Sequence, residues 1–268
     1  RISKPFVGWG TDEKSIIEIL GHRNAYQRQQ IRQAFQDIHQ EDLIKRLESE
    51  LTGDFERAVY RWIFEPAERY AVLANVAIKN ANKDYHVIVE IACVLQPEEL
   101  LGLLVGLVSS FRYRGDEINL RLAKSEANIL QEAIKDKKGN REEIIRILST
   151  RSKTQLVATF NSYKDERGIS ISKKLLEETS DDFDKAVHVA IHCINDHKKY
   201  YEKVLRSAIK GVGTKEDELT RVFVTRAEKD LKDIKELYYK KNSVHLEDAV
   251  AKEVSRHYKK FLLTLLGK

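Results

Sequence analysis

The sequence predicts an all-α protein assembled from repeated helical units, and three observations support that fold class. Helix breakers are scarce: the 268 residues include three prolines and twelve glycines, while leucine, isoleucine, lysine and glutamate dominate. Apolar residues recur at helical spacing, as in Ile16, Ile19 and Leu20, then Ile31 and Phe35, then Leu43, Leu47 and Leu51. The chain also repeats itself. Shifted by 203 positions, FVGWGTDEKSIIEILGHR falls without a gap on IKGVGTKEDELTRVFVTR, so that Gly8, Gly10, Thr11, Glu13 and Arg23 meet Gly211, Gly213, Thr214, Glu216 and Arg226. The correspondence runs on to Glu50 on Glu253 and Phe55 on Tyr258.

Composition limits what such a chain can be. It is 42% hydrophobic and 33% charged, enough to bury a core and too polar to span a bilayer; the longest apolar run, near Leu100 to Val108, is far too short to cross one. Arg1 to Lys4 show no signal-peptide core, so nothing there directs export and a cytoplasmic protein is expected. A net charge of +5 favours anionic surfaces such as acidic lipid but does not make a nucleic-acid binder. Cys93 and Cys193, 100 positions apart, match neither a disulfide scaffold nor a zinc motif and read as reduced thiols, with a reversible redox pair as the alternative.

Along the chain, the opening loop FVGWGTDE leads into the first repeat, and RWIFEPAERYAVLA at Arg61 to Ala74 links it to the second. Two weaker copies follow, VIVEIACVLQPEEL from Val87 and EEIIRILSTRSKTQL from Glu142. The positions matching Arg23 are Leu95, Arg151 and Arg226, at intervals of 72, 56 and 75. The short interval implies a deletion in the second repeat, and aligning Gln30 with Gly102 and Ala58 with Leu103 makes the missing segment roughly 27 residues long. The junction Gly102–Leu103 reads as the place where that segment is absent.

The glycine loops carry the chemistry. Calcium takes six to eight oxygens, and closely spaced glycines let successive carbonyls turn toward one point. Phe6, Gly8 and Gly10 supply three carbonyls, with Glu50 as the carboxylate; Ile209, Gly211, Gly213 and Glu253 do the same in the fourth repeat. One carboxylate against a divalent ion leaves unfilled positions that an anionic lipid phosphate completes. Trp9, beside Val7, then reads as a headgroup contact. The competing reading of one loop alone is a turn with Thr11 capping a helix, but two copies, each with a glutamate 39 residues after the threonine, favour calcium. In the second repeat Asn80 and Asn82 replace the glycines; in the third, Asp136 and Lys138 do, although Glu178 keeps the acid's place. Calcium is therefore expected only in the first and fourth repeats.

Four repeats, a G-x-G-T loop and an acid about forty residues later resemble the annexins, over essentially the whole chain. GWGT, the Arg61 linker and glycine loops in the outer repeats alone resemble plant members. The resemblance implies a curved disc of four five-helix repeats, here 1–65, 66–115, 116–195 and 196–268, that binds acidic phospholipid reversibly as calcium rises, in membrane-related stress or trafficking responses. It implies a weaker second site at Thr11 with Glu13 and at Thr214 with Glu216, and places Lys210 and Val212 at the membrane beside Val7 and Trp9. The chain departs from the family after Gly102, at its first residues, which lack the full N-terminal tail and first helix, and at Glu253, where aspartate is common.

Other activities claimed for plant annexins have thinner support. His22 in LGHRN resembles a proposed peroxidase histidine, but Thr225 replaces it in the fourth repeat, and a lone histidine on a helix is usually a packed or capping residue. No G-x-x-x-x-G-K-[ST] loop is present for nucleotide hydrolysis. Ile145-Arg146-Ile147 resembles a contact motif for F-actin, although Ile144, Ile147 and Leu148 already form an apolar helix face. Cys93 and Cys193 match a proposed redox cluster, and ion conduction would have to do without a spanning segment. The expected protein is a binder of calcium and lipid, not an enzyme.

Overall fold

The computed structural model describes residues 12–79, 85–94, 115–135, 141–178, 182–210 and 213–267. Among them there is no strand. The helices are α1 (Glu13–Leu20), α2 (Ala25–His39), α3 (Leu43–Glu50), α4 (Gly53–Ile63), α5 (Pro66–Lys79) and α6 (Tyr85–Val94). There follow α7 (Leu120–Lys135), α8 (Arg141–Thr150), α9 (Lys153–Arg167), α10 (Ile171–Glu178) and α11 (Asp182–Lys210). The last four are α12 (Glu216–Arg226), α13 (Leu231–Asn242), α14 (Leu246–Glu253) and α15 (Arg256–Leu265).

Local chemistry sets these boundaries. Asp12, not Thr11, caps α1: its carboxylate accepts from the Ser15 backbone at 3.1 Å and from the Ser15 hydroxyl at 2.5 Å. Asn24 and Gln27 close a reciprocal capping box on α2. Pro66 opens α5, where its missing N–H costs nothing. Gln40, Gly168 and Ser243 end α2, α9 and α13 in the left-handed conformation, one structural position filled by three residue types. Inside α11 the helix breaks at Asp196, which is extended.

The chain forms two compact units, one of residues 74–197 and one of residues up to 73 together with those from 198 onward. In the unit 74–197, α7 packs along α9 and also meets α8 and α10. Leu130, Ile147, Leu156, Tyr163 and Ile191 fill its core.

The other unit has internal symmetry. Moved by 203 residues, α1, α3 and α4 begin where α12, α14 and α15 begin, and α3 ends where α14 ends. The packing is reciprocal: α4 lies on α12 while α1 lies on α15, and α4 and α15 touch each other. Each contact and its mirror image are both made, the mark of two copies related by a local two-fold axis. Ile16, Leu43, Leu47 and Leu51 are buried, as are their counterparts Leu219, Leu246, Val250 and Val254, each such side chain contributing about 1.5–3 kcal/mol. Burial in α1 is shared by Ile16, Ile17 and Leu20, with Ile19 only half-buried.

A polar network crosses the same axis. Arg28 is fully buried, donates to the Arg23 carbonyl at 2.6 Å and meets both Glu228 oxygens, at 3.2 and 2.9 Å. Glu228 also accepts from the Ala25 backbone at 2.6 Å, and Ala25 and Glu228 are equivalent positions, so this bond sits on the axis itself. Buried Arg69 donates to the carbonyls of Arg61, Trp62, Phe64 and Val224 and lies 3.7 Å from Glu228. Both guanidiniums lie over the ring of Trp62, at 3.8 and 4.9 Å from its centre, and Trp62 donates to the Leu20 carbonyl at 2.8 Å. The Arg61–Ala74 linker is thus mainly a buried brace between first-repeat and fourth-repeat helices.

Candidate functional site

The two acids expected at the calcium sites occupy one structural position. Helices α3 and α14 each run eight residues and end on Glu50 and Glu253, after which Leu51 and Val254 turn the chain extended. A helix C-terminus carries partial negative charge, so a carboxylate there is disfavoured by about 0.3–1 kcal/mol. The placement makes sense for a cation, which both the carboxylate and the free terminal carbonyls attract. Glu178 ends α10 in the same way. Two residues beyond Leu51 and Val254 the chain takes positive φ, at Gly53 (+67°) and at its counterpart Arg256 (+56°). Glycine adopts that turn freely; arginine is strained there.

A cleft of about 450 Å³ collects four of the expected residues: Glu13 and Glu216 from the first turns of α1 and α12, and Glu50 and Glu253 from the ends of α3 and α14. Arg256 and His257 also line it, and His257 Nδ1 lies 4.0 Å from Glu13. The two-fold axis therefore brings the acids of both sites to one surface. Tyr258 ties the fourth-repeat side together, donating to the Glu216 carbonyl at 3.1 Å and lying 2.7 Å from the Thr220 hydroxyl; burial, outweighing the Thr220 bond, pushes its phenol well up. Phe55, at the equivalent position, has no hydroxyl to do the same.

The sites also differ in what faces the acid. Glu50 forms a 3.0 Å ion pair with Arg46 one turn earlier, both side chains about one-third exposed or less (27% and 32%). Ala249 stands at the matching position, and among the described residues Glu253 has no ion pair.

Of the glycine loops, Phe6, Val7, Gly8, Trp9, Gly10 and Thr11 lie outside the described residues, as do Gly211 and Val212. Gly213 has φ +80°, the region that favours glycine, and the Lys215 N–H donates to the Ala208 carbonyl at 3.0 Å, closing the loop at its base. Ile209 is buried and lies in the last turn of α11, whose carbonyls have no partner within the helix. Exposed Lys210 donates to Asn242 at 3.1 Å. Among the described residues no three acids, histidines or cysteines gather to form a metal cluster. A carboxylate at a helix end beside main-chain carbonyls is nonetheless a donor set that fits a hard divalent cation.

The remaining candidates are placed as follows. His22 sits in the turn after α1, not on a helix, half-exposed and 3.7 Å from Glu18. Ile147 is fully buried and Arg146 is held by Glu143, leaving Ile145 as the exposed member of the actin-like tripeptide. Cys93 and Cys193 are outside any disulfide, half-buried and buried respectively, and both belong to the unit 74–197. Asn80, Asn82, Asp136 and Lys138 lie outside the described residues, and no described helix is long and apolar enough to cross a membrane. The sequence reading gave no role to Arg46 or the Arg28–Glu228 pair and used Tyr258 only as the counterpart of Phe55; Arg46, four residues before Glu50, carried a visible signal.

Comparison with known proteins agrees with the helical fold. The family model described as Annexin matches residues 2–62, 125–190 and 200–265. Annexin-like protein RJ4 of Fragaria ananassa is 62% identical over 294 aligned positions, covering 100% of this chain and 94% of the relative. With 268 residues here, at least 26 of those positions have no counterpart in this chain. Annexin D7 of Arabidopsis thaliana is 46% identical, covering 100% of this chain and 93% of its own. Among solved structures, annexin A8 superposes with a TM-score of 0.90 at 28% identity, over 100% of this chain and 92% of that one. Calcium-bound annexin (Sm)1 gives 0.79 at 25%, over 100% and 88%.

Proposed function

The chain belongs to the annexin family and is of the plant type, and from that premise we propose that it binds acidic phospholipid membranes through calcium held at its first and fourth repeats. Calcium-dependent phospholipid binding is the family's general activity, and Ca2+ is its cofactor. The finer assignment gives Phe6, Gly8, Gly10 and Glu50 to one site and Ile209, Gly211, Gly213 and Glu253 to the other, with Thr11, Glu13, Thr214 and Glu216 as lesser ligands. The observation that carries it is the equivalent placement of Glu50 and Glu253 at helix C-termini on one cleft.

When bound, calcium supplies the positive charge that lipid phosphates complete. The chain's own residues do the rest: Glu50 and Glu253 each contribute the one formal negative charge of a site, and the loops turn carbonyls outward. Trp9 and Val7 enter the headgroup boundary, with Lys210 and Val212 in the same places on the fourth loop. We divide the chain into repeats 1–65, 66–115, 116–195 and 196–268, with the shortfall in the second after Gly102. We place the protein in the cytoplasm and at membranes when calcium rises, in stress or trafficking responses, as a binding protein rather than an enzyme. F-actin enters this reading only through Ile145 and Arg146, because Ile147 is core.

The test is co-sedimentation with phosphatidylserine vesicles, with and without calcium, following Trp9 fluorescence against a Trp9→Ala control. Calcium-dependent pelleting with a blue-shifted Trp9 signal is expected. Pelleting that ignores calcium would assign binding to the basic surface instead, and no pelleting would refute the proposal.

A further inference from the structure

We infer that the two calcium sites fill in order, the fourth-repeat site first, because Arg46 occupies the first-repeat carboxylate until calcium displaces it. The inference rests on the calcium reading of Glu50 and Glu253 and adds a residue that determines their relative sensitivity. Three observations support it, all within one compact unit.

First, the Arg46 guanidinium holds Glu50 at 3.0 Å, from one turn earlier on the same face of α3. Any cation that takes the Glu50 carboxylate bidentately must displace this partner, and the nearby guanidinium, with the same sign of charge, opposes its arrival. Second, the fourth repeat lacks a cation bonded to its acid. The residue one turn before Glu253 is Ala249, and although Arg256 lines the same cleft, among the described residues Glu253 forms no ion pair with it or with any other group. Third, the fourth site is better organised beforehand. Tyr258 in α15 donates to the Glu216 carbonyl in the first turn of α12, tying the turn after Glu253 to the helix that follows its glycine loop. Phe55 breaks the equivalent tie in the first repeat. A site whose parts are already held loses less freedom when it binds.

Both side chains of the Arg46–Glu50 pair are partly solvated, so its competition is modest. Removing it should lower the calcium needed at the first site about two- to threefold, the scale of an exposed pair one turn apart on a helix. An affinity gap of that size, widened by the Tyr258 tie, splits one calcium response into two steps.

The experiment isolates each site in the full chain. Glu253→Gln leaves the first site and Glu50→Gln leaves the fourth, and calcium is titrated by calorimetry and by pelleting with phosphatidylserine–phosphatidylcholine vesicles. The Glu50→Gln chain should respond at lower calcium than the Glu253→Gln chain. Adding Arg46→Ala should sharpen the response of Glu253→Gln by about two- to threefold and leave Glu50→Gln unchanged. The converse substitution, Ala249→Arg in Glu50→Gln, should raise the calcium required. Thermal melts without calcium establish that each variant is folded. Equal responses of the two single-site chains, or an Arg46→Ala effect of the same size in both, would overturn the ordering. If the chain with both glutamates intact shows no calcium response, the calcium reading itself falls and the ordering with it.

Discussion

Replacing Glu228 by glutamine should destabilise the protein strongly without touching either calcium site. Glu228 serves two buried guanidiniums, Arg28 through two hydrogen bonds and Arg69 at 3.7 Å, and its side chain is only 26% exposed. Glutamine keeps one acceptor for the Ala25 N–H but removes the charge, leaving both cations inside without a counter-ion. Breaking a fully buried ion pair costs about 3–5 kcal/mol; the partial exposure of Glu228 and the four carbonyls around Arg69 reduce this to roughly 2–4 kcal/mol. For a chain of this size that lowers the melting temperature by roughly 5–15 °C. The sign of the pH dependence also follows. Burial pushes the Glu228 carboxyl up, but the Arg28 hydrogen bond and the charges of Arg28 and Arg69 together hold it below the ordinary range. A depressed carboxyl stabilises the fold above its unfolded value, and that stability disappears as pH falls through the folded value. The gap between wild type and Glu228→Gln should therefore be full well above the ordinary carboxyl value of 4.5 and narrow as the pH falls below it through the depressed folded value. Calcium-free melts across that range measure it. A Glu228→Gln protein that melts like wild type, or a gap that does not narrow in acid, would refute the reasoning.

Three further outcomes are expected. The double variant Glu50→Gln/Glu253→Gln should lose calcium-dependent vesicle binding while melting no lower than wild type does without calcium, because each carboxylate sits at the surface end of its helix and removing it also removes charge from a crowded cleft; retained calcium dependence would sink the site assignment. Gly53→Ala should cost about 1 kcal/mol in urea unfolding, since φ is +67° and nothing within 4 Å would meet the new methyl group; an unchanged midpoint would show that the turn relaxes. Trp9→Ala should leave a residual fluorescence from Trp62 that ignores calcium, because Trp62 is buried and fixed by its bond to Leu20; a calcium-sensitive residual signal would mean that the buried brace moves on binding.

Most of the helical framework could be read from the sequence, because both helix spacing and repetition are local signals. The 203-residue register needed no structure, and it carries through to α4 and α15. Some boundaries were less legible. Thr11 looked like the cap of α1, but Asp12 is closer to the first turn and bonds Ser15 twice. The left-handed ends of three helices show glycine only at Gly168, while Gln40 and Ser243 hide the same geometry. The acids of the site were legible because their spacing repeats. What faces them was not: the Tyr258 tie joins residues 42 apart, and Glu228 finds Arg28 at a separation of 200. No periodicity marks such pairs; the packing of α1 on α15 and α4 on α12 creates them.

That packing also explains how the chain tolerates its site. Four carboxylates round one cleft, two of them at helix ends that repel negative charge, oppose the compact state when calcium is absent. The opposition is answered near the same two-fold axis, where Glu228 holds Arg28 and Arg69 between helices of the first and fourth repeats, and in the contact of α4 with α12, where Arg61 pairs at 2.6 Å with Asp217, next to Glu216. The brace is anchored on the buried guanidiniums of Arg28, Arg61 and Arg69, whereas the cleft is open to solvent. Because the two sets of charges share helix α12 but no residues, the cleft charges and the brace can be altered separately. A variant with both lesions, Glu228→Gln in the Glu50→Gln/Glu253→Gln background, separates the two. If the cleft acids repel one another in the folded state, neutralising Glu50 and Glu253 restores part of the calcium-free stability that Glu228→Gln removes. If the double glutamine change leaves that loss untouched, the cleft charges are too well solvated to strain the fold, and the brace exists only to join the repeats.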